Sequence, residues 1–334
     1  MAWYIPAVWA ALIGTAVALY VILDGFDLGV GILFPYAEEE REQDQMINSI
    51  APFWDGNETW LVLGGGGLLV AFPRAYAVIM PALYLPVIVM LLALVFRGVA
   101  FEFRSVAHTS KKYWTFAFAG GSTLAAFCQG LILGGLIHGI RVENGAFAGG
   151  TFDFATPFAL LCGLGVVTGY ALLGACWLVM KTEGEVAQRA RRHAKLLLPC
   201  VLAFMAAVSV WTPLAFPQIA QRWFSLPNIL FLWPLPAITA LVAVLAWRWL
   251  DSGRDIRPFF AAIILFLLGY AGLVISVFPH LVPWSLTIWQ TAAAPATQIF
   301  LLIGTLPLLP IILMYSGFVY YLFRGKVREG EGYH

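Results

Sequence analysis

Apolar runs of bilayer-spanning length alternate with short charged segments along the whole chain. A hydrocarbon core needs about 20 mostly apolar residues per helix. Runs of that kind, bounded by charge, Pro or Gly, cover residues 8–33, 52–72, 75–96, 114–136, 154–180, 197–216, 229–249, 259–278 and 297–323. The pattern predicts an all-α polytopic integral membrane protein with nine transmembrane helices in a single membrane domain over 1–334. Its expected arrangement is two four-helix bundles plus one peripheral helix, with a first helix group over 8–136 and a second over 154–323. The second run is the least regular, since it opens on Asp55 and Glu58 and contains four consecutive glycines, 64–67.

Nine helices put the termini on opposite sides, and the basic residues then divide very unequally. Of the 19 lysines and arginines, all but Arg74, Arg141 and Arg222 fall on the side of the C-terminal tail and of the loops after the first, third, fifth and seventh runs. The positive-inside rule makes that side cytoplasmic, which leaves the N-terminus outside. Composition agrees: 61% of residues are hydrophobic and 11% charged, against about 25% charged in a soluble domain, and the mean hydropathy is +0.85. The net charge of +1 excludes a nucleic-acid reader, which carries a clustered basic excess. No Lys or Arg precedes the first run and no small-residue cleavage site follows it, so it reads as a retained helix and not as a signal peptide. Cys128, Cys162, Cys176 and Cys200 lie in apolar runs without C-x-x-C spacing, which points to buried, inert thiols and away from zinc or attached c-type haem.

Charge inside the bilayer costs roughly 2.5–3.5 kcal/mol per residue at a helix centre and calls for a reason. Here it clusters. Asp24 and Asp27 share one face of the first helix at i, i+3, Asp55 and Glu58 repeat that spacing in the second, and Arg97 and Glu102 close the third. All six side chains are expected at similar depth near the cytoplasmic boundary, whereas runs four to nine carry no internal carboxylate of this kind. Two readings stand side by side. Acids a water or two apart can pass protons; equally, Asp55 and Glu58 suit the first turns of a helix opened by Pro52, and Arg97 can simply pair with Asp24 or Asp27. The glycine run lacks the G-K-[ST] of a phosphate loop and, like Gly25-x-x-x-Gly29, suits close helix contact. His108 and His193 fall in inner loops, His138 and His280 at outer helix ends, and His334 at the terminus, so no pair clamps a haem at mid-membrane. Two classes remain: a cofactor-free subunit of a redox complex, or a proton-coupled transporter acting alone.

Three blocks carry a resemblance: Asp24-Gly25-Phe26-Asp27-Leu28-Gly29-Val30-Gly31, the stretch from Asn48 to Glu58 with Trp54-Asp55-Gly56-Asn57-Glu58 at its end, and Phe96-Arg97-Gly98-Val99-Ala100-Phe101-Glu102-Phe103-Arg104. With Phe278-Pro279 and Ser285-Leu286-Thr287-Ile288-Trp289, they make the chain resemble subunit II of cytochrome bd-type quinol oxidases, including the cyanide-insensitive variants. The resemblance implies a multi-pass subunit of a respiratory terminal oxidase in the bacterial cytoplasmic (inner) membrane. That enzyme oxidises quinol and reduces dioxygen to water with cytoplasmic protons. It places two haems b and one haem d in the partner, subunit I, and none on this chain. Asp24, Trp54 and Asp55, with Asp27 and Glu58 in the same blocks, would line a proton path toward the haem d site, and Arg97 with Glu102 would form a structural ion pair. Some relatives hold a structural quinone in this subunit, and a small single-helix subunit is a further partner in view. The chain departs from some members at Glu102 and Gln290, where they carry Asp; a carboxylate survives only at the first.

Overall fold

The computed structural model describes residues 3–107 and 109–328; His108 and His334 lie outside the described residues. Fourteen helices follow in order: α1 Ile5–Leu33, α2 Glu40–Ile50, α3 Trp54–Ala71, α4 Pro73–Ala82, α5 Tyr84–Val106, α6 Lys111–His138, α7 Pro157–Lys181, α8 Gly184–Ala215, α9 Pro217–Phe224, α10 Asn228–Leu232, α11 Pro234–Asp251, α12 Arg257–Val277, α13 Ile288–Thr291 and α14 Pro295–Leu322. Two short antiparallel hairpins, His280–Val282 with Leu286–Thr287 and Val142–Glu143 with Ala146–Phe147, sit between them. Among the described residues, eight helical segments, built on α1, α5, α6, α7, α8, α11, α12 and α14, are long and apolar enough to cross a membrane. The expected number was nine.

The missing one is the second run. It is helical, but the 18 residues of α3 begin with polar turns, and four glycines dilute the rest, so it falls short on apolar content. It nevertheless runs antiparallel along α1. Asn57 donates to the Leu23 carbonyl, a Cβ on Gly64 would touch Val17 at 3.4 Å and one on Gly67 would touch Ile13 at 3.0 Å, and Ala71 and Phe72 cluster with Trp9. Gly64 and Gly67 therefore serve the contact, while Gly65 and Gly66 face open space.

The third run is displaced. Residues 75–96 do not form one helix; the chain breaks at Leu83 between α4 and α5. Pro86 has no N–H, and its ring crowds the carbonyl four residues earlier, which is that of Ala82, the last residue of α4. The spanning helix is accordingly 84–106, and Arg97 lies well inside it. Two expected loops are also helical. Residues 35–51 contain α2, opened by a Glu39/Glu42 capping box, and α8 begins at Gly184 instead of near residue 197. Both carry acids or bases on a solvated side that pair across the basic end: Arg189 with Glu42 at 2.7 Å, Arg191 with Asp255 at 2.6 Å and Lys195 with Asp251 at 2.5 Å.

Small residues set the closest crossing, between α1 and α7. A Cβ on Gly29 would lie 1.9 Å from the Tyr170 carbonyl oxygen, and one on Gly174 2.3 Å from the Gly29 carbonyl carbon. Dispersion and close approach, not apolar burial, hold helices together where the surroundings are themselves apolar. The α7 helix touches α1, α6, α8 and α12, and Phe26 stacks on Trp177 with ring centroids 4.0 Å apart. Cys128, Cys162 and Cys176 are buried as expected, but Cys200 is exposed on α8, because it lies at i+4 from the exposed Leu196 on the outward face of that helix. The α14 helix lies outermost. Its end is tied down by Lys181, whose Nζ donates to the carbonyls of Phe323 and Gly325, the latter at 2.6 Å, while Gln45 reaches the Val327 carbonyl at 2.8 Å.

Candidate functional site

The charged residues of α1, α3 and α5 converge inside the bundle. Asp24 and Asp27 are each followed by at least six more residues of α1, and Arg97 by nine of α5. At 1.5 Å per residue Asp24 and Arg97 lie about 14 Å from those helix ends, deeper than the boundary position expected from sequence. The α3 helix starts further in, so Glu58, in its second turn, reaches the same level.

Arg97 is fully buried, as are Asp24 and Asp27. Its Nη1 donates to Asp24 Oδ1 at 2.7 Å, the short geometry of a charge-assisted bond. Nη2 stands 4.0 Å from Asp27 Oδ2, and Nη1 stands 3.7 Å from Glu58 Oε2. Asp27 Oδ2 instead accepts from the Asn57 amide at 2.7 Å. Asn57 Oδ1 accepts from the Tyr320 hydroxyl of α14 at 2.8 Å. On the other flank Tyr20 faces Asp24; it accepts from Gln129 Nε2 at 2.8 Å, and Gln129 Oε1 accepts from Tyr170 at 2.6 Å. Three buried polar atoms of the cluster, Asp24 Oδ2, Asp27 Oδ1 and Arg97 Nη2, have no hydrogen-bond partner among the described residues.

The structure brings Asp24, Asp27, Glu58 and Arg97 together, sets Trp54 beside the guanidinium and leaves Asp55 and Glu102 outside, both exposed. Asp55 is exposed on the first turn of α3, where the helix dipole favours an anion, and its side chain makes no ion pair among the described residues. Trp54 packs on Phe101 with centroids 5.1 Å apart, and the Arg97 guanidinium carbon lies 5.9 Å from the Trp54 ring centroid. The expected pairing of Arg97 with Glu102 does not form. Five residues of α-helix turn the chain by about 140° beyond a full revolution, which aims Glu102 outward, where it is exposed, while Arg97 points at α1. Gln290 is remote from the cluster: it forms a capping box with Thr287 at the start of α13.

Sequence reasoning missed the neutral members, Tyr20, Asn57, Gln129, Tyr170 and Tyr320. It also missed Arg104, which is buried and donates to Asp44 at 2.6 Å, Gln43 at 2.9 Å and Thr115 at 3.1 Å, tying α5 to α2 and α6. Gln129 carried a usable signal, being an amide deep in an apolar run; the tyrosines carried none. The described histidines stay at the bundle ends. His193 meets Tyr36, His138 meets Phe216, and His280 lies near Trp284. No group of three or more His, Cys, Asp or Glu side chains among the described residues is placed to hold a metal ion.

A family model described as cytochrome bd terminal oxidase subunit II matches residues 5–323. The chain is 29% identical to cytochrome bd-I ubiquinol oxidase subunit 2 of Escherichia coli (strain K12), over 97% of this chain and 95% of that protein. It is 28% identical to cytochrome bd ubiquinol oxidase subunit 2 of Bacillus subtilis (strain 168), over 97% of each. Its fold matches a chain in the structure of bd oxidase from Geobacillus thermodenitrificans, with a TM-score of 0.76 at 19% identity over 96% of this chain and 98% of that one. A buried acid cluster built from the same sequence blocks that carry the resemblance, in a helical membrane fold matched along nearly its whole length, has one consistent assignment: the chain belongs to the cytochrome bd terminal oxidase subunit II family.

Proposed function

We propose that this chain is the haem-free subunit II of a cytochrome bd-type quinol oxidase, that it supports assembly of the haem-bearing subunit I, and that it admits cytoplasmic protons for the reduction of dioxygen to water. The observation that carries the proton role is an imbalance: three carboxyls, Asp24, Asp27 and Glu58, surround the single guanidinium of Arg97. A purely structural pair would balance its charges in a dry site. An excess of acids over bases gives the site room to hold and release protons.

The route runs inward from the basic end. Asp55 is exposed, Glu58 lies three residues further along α3 at 29% side-chain exposure, and Asp24 and Asp27 follow in the interior, with Trp54 as a wall. The basic residues gathered at that end, among them Arg189, Arg191 and Lys195, make it the cytoplasmic one by the positive-inside rule. The described histidines, all at the bundle ends, do not fit a membrane haem at mid-depth on this chain and support placing the two haems b and haem d in the partner; a stoichiometric haem on the isolated chain would overturn that part. Family membership favours this reading over a transporter acting alone.

Glu58→Gln tests the proton role. The amide keeps size and hydrogen-bonding capacity but removes the ionisable proton. The complex is expected to assemble with normal haem spectra and to consume oxygen more slowly per haem. Undiminished turnover in the assembled variant would leave Glu58 a structural partner of Arg97.

A further inference from the structure

Within the acid cluster, two buried aspartates of the same helix occupy different electrostatic positions, and the difference assigns them different tasks. We propose that Asp27, on its Oδ1 atom, is where the exchangeable proton of this subunit rests, that Asp24 is the fixed counter-ion of Arg97, and that Asn57 and Tyr320 are positioning residues for Asp27. The inference rests on the proton-admitting role above and refines it.

Asp24 Oδ1 holds the 2.7 Å bond to Arg97, whereas Asp27 stands 4.0 Å from the same guanidinium. Protonating Asp24 would weaken the one close ion pair of a buried arginine, which is costly in a dry site. Protonating Asp27 breaks no short ion pair. Its Oδ2 already accepts from Asn57, and its Oδ1 has no partner among the described residues while being buried, so a proton on Oδ1 leaves the existing bond in place.

Asn57 is held in one sense. Its amide nitrogen donates to Asp27 and to the Leu23 carbonyl at 3.3 Å, and its oxygen accepts from Tyr320. A flipped amide would face oxygen with oxygen at both Asp27 and Leu23 and lose the Tyr320 donor. Tyr320 is itself fixed by stacking on Phe53, with centroids 4.4 Å apart and planes 12° from parallel. The outermost helix, α14, therefore sets the orientation of the donor that faces Asp27. The charged and titratable groups around Asp27 are Asp24 on its own helix, Glu58 on α3, Arg97 on α5 and Tyr320 on α14. When Glu58 passes a proton to Asp27, Glu58 is left as a carboxylate and regains a proton from the solvent side at Asp55, so the transfer balances without any other reactant.

Redox-induced infrared difference spectra of the assembled oxidase, recorded in water and in deuterium oxide, read this directly. The deuterium-sensitive carbonyl band of a protonated carboxyl group is expected to lose its contribution from this subunit in Asp27→Asn and to keep it in Asp24→Asn. Tyr320→Phe, which removes one hydroxyl and keeps the stacked ring, is expected to shift that band while haem content stays normal. A band lost in Asp24→Asn and retained in Asp27→Asn overturns the assignment, and a band that Tyr320→Phe leaves in place removes the positioning role. If no variant alters the band but Glu58→Gln slows turnover, this assignment fails and the proton-admitting role stands; if Glu58→Gln and Asp27→Asn both turn over normally, the underlying role fails as well.

Discussion

Arg97→Ala is expected to abolish accumulation of the assembled oxidase. The guanidinium is buried and is the only cation paired with Asp24, Asp27 and Glu58 among the described residues. Truncating one member of a buried ion pair costs about 3–5 kcal/mol, because the remaining charge is left without compensation. Here two fully buried carboxyls would be stranded together, which is a large fraction of an ordinary protein's stability of about 5–15 kcal/mol. The measurement is the amount of both subunits and of haem in purified membranes. Arg97→Met combined with Asp24→Asn should recover much of the yield, since it removes the close pair as a unit and keeps the volume. Normal assembly of the single Ala variant would reduce Arg97 to a contributor to membrane orientation.

The same cluster shows what a sequence can announce. Charges in apolar runs are conspicuous because they are expensive, so Asp24, Asp27, Glu58 and Arg97 stand out and i, i+3 spacing puts the first two on one face. Their neutral supports do not stand out. An asparagine in the polar first turns of α3 and a tyrosine near the end of α14 look like ordinary boundary residues, and only the fold brings Asn57 and Tyr320 within 2.8 Å of each other. Helix type was readable from the length of apolar runs, but the number of spans, nine expected against eight among the described residues, and their ends were not. The break at Leu83 ahead of Pro86 places α5 about ten residues further along the chain than its apolar run, and that shift carried Arg97 from a presumed helix end to the interior. Amphipathic helices such as α2 and the start of α8 read as charged loops because they expose one face to water and bury only a few residues against the bundle, among them Met46, Ile50 and Ala194.

Asp55→Asn is expected to give the clearest separation of chemistry from structure. Unlike Asp24 or Arg97, Asp55 is exposed and its side chain makes no ion pair among the described residues, so the substitution removes no buried contact. Asn retains the size, and Asp55, the second residue of α3 behind the N-cap Phe53, makes no capping bond that could be lost, which limits the structural cost to a few tenths of a kcal/mol of lost dipole interaction. Both subunits and all haems should therefore be present in normal amounts. Turnover should fall, because each dioxygen reduced to water consumes protons and the outermost exchangeable acid of the route is gone. A drop of about tenfold in oxygen consumption per haem is expected. That is less than the roughly 10²–10⁴-fold of a group transferring a proton in the chemical step itself, since water at an exposed position replaces part of the function. A structural role for Asp55 makes the opposite prediction, with less complex but full activity per haem. Full turnover in a fully assembled Asp55→Asn enzyme would mean that protons reach Glu58 directly from solvent or arrive through the partner subunit. Combining it with Glu58→Gln distinguishes these, because only the second route leaves the double variant active.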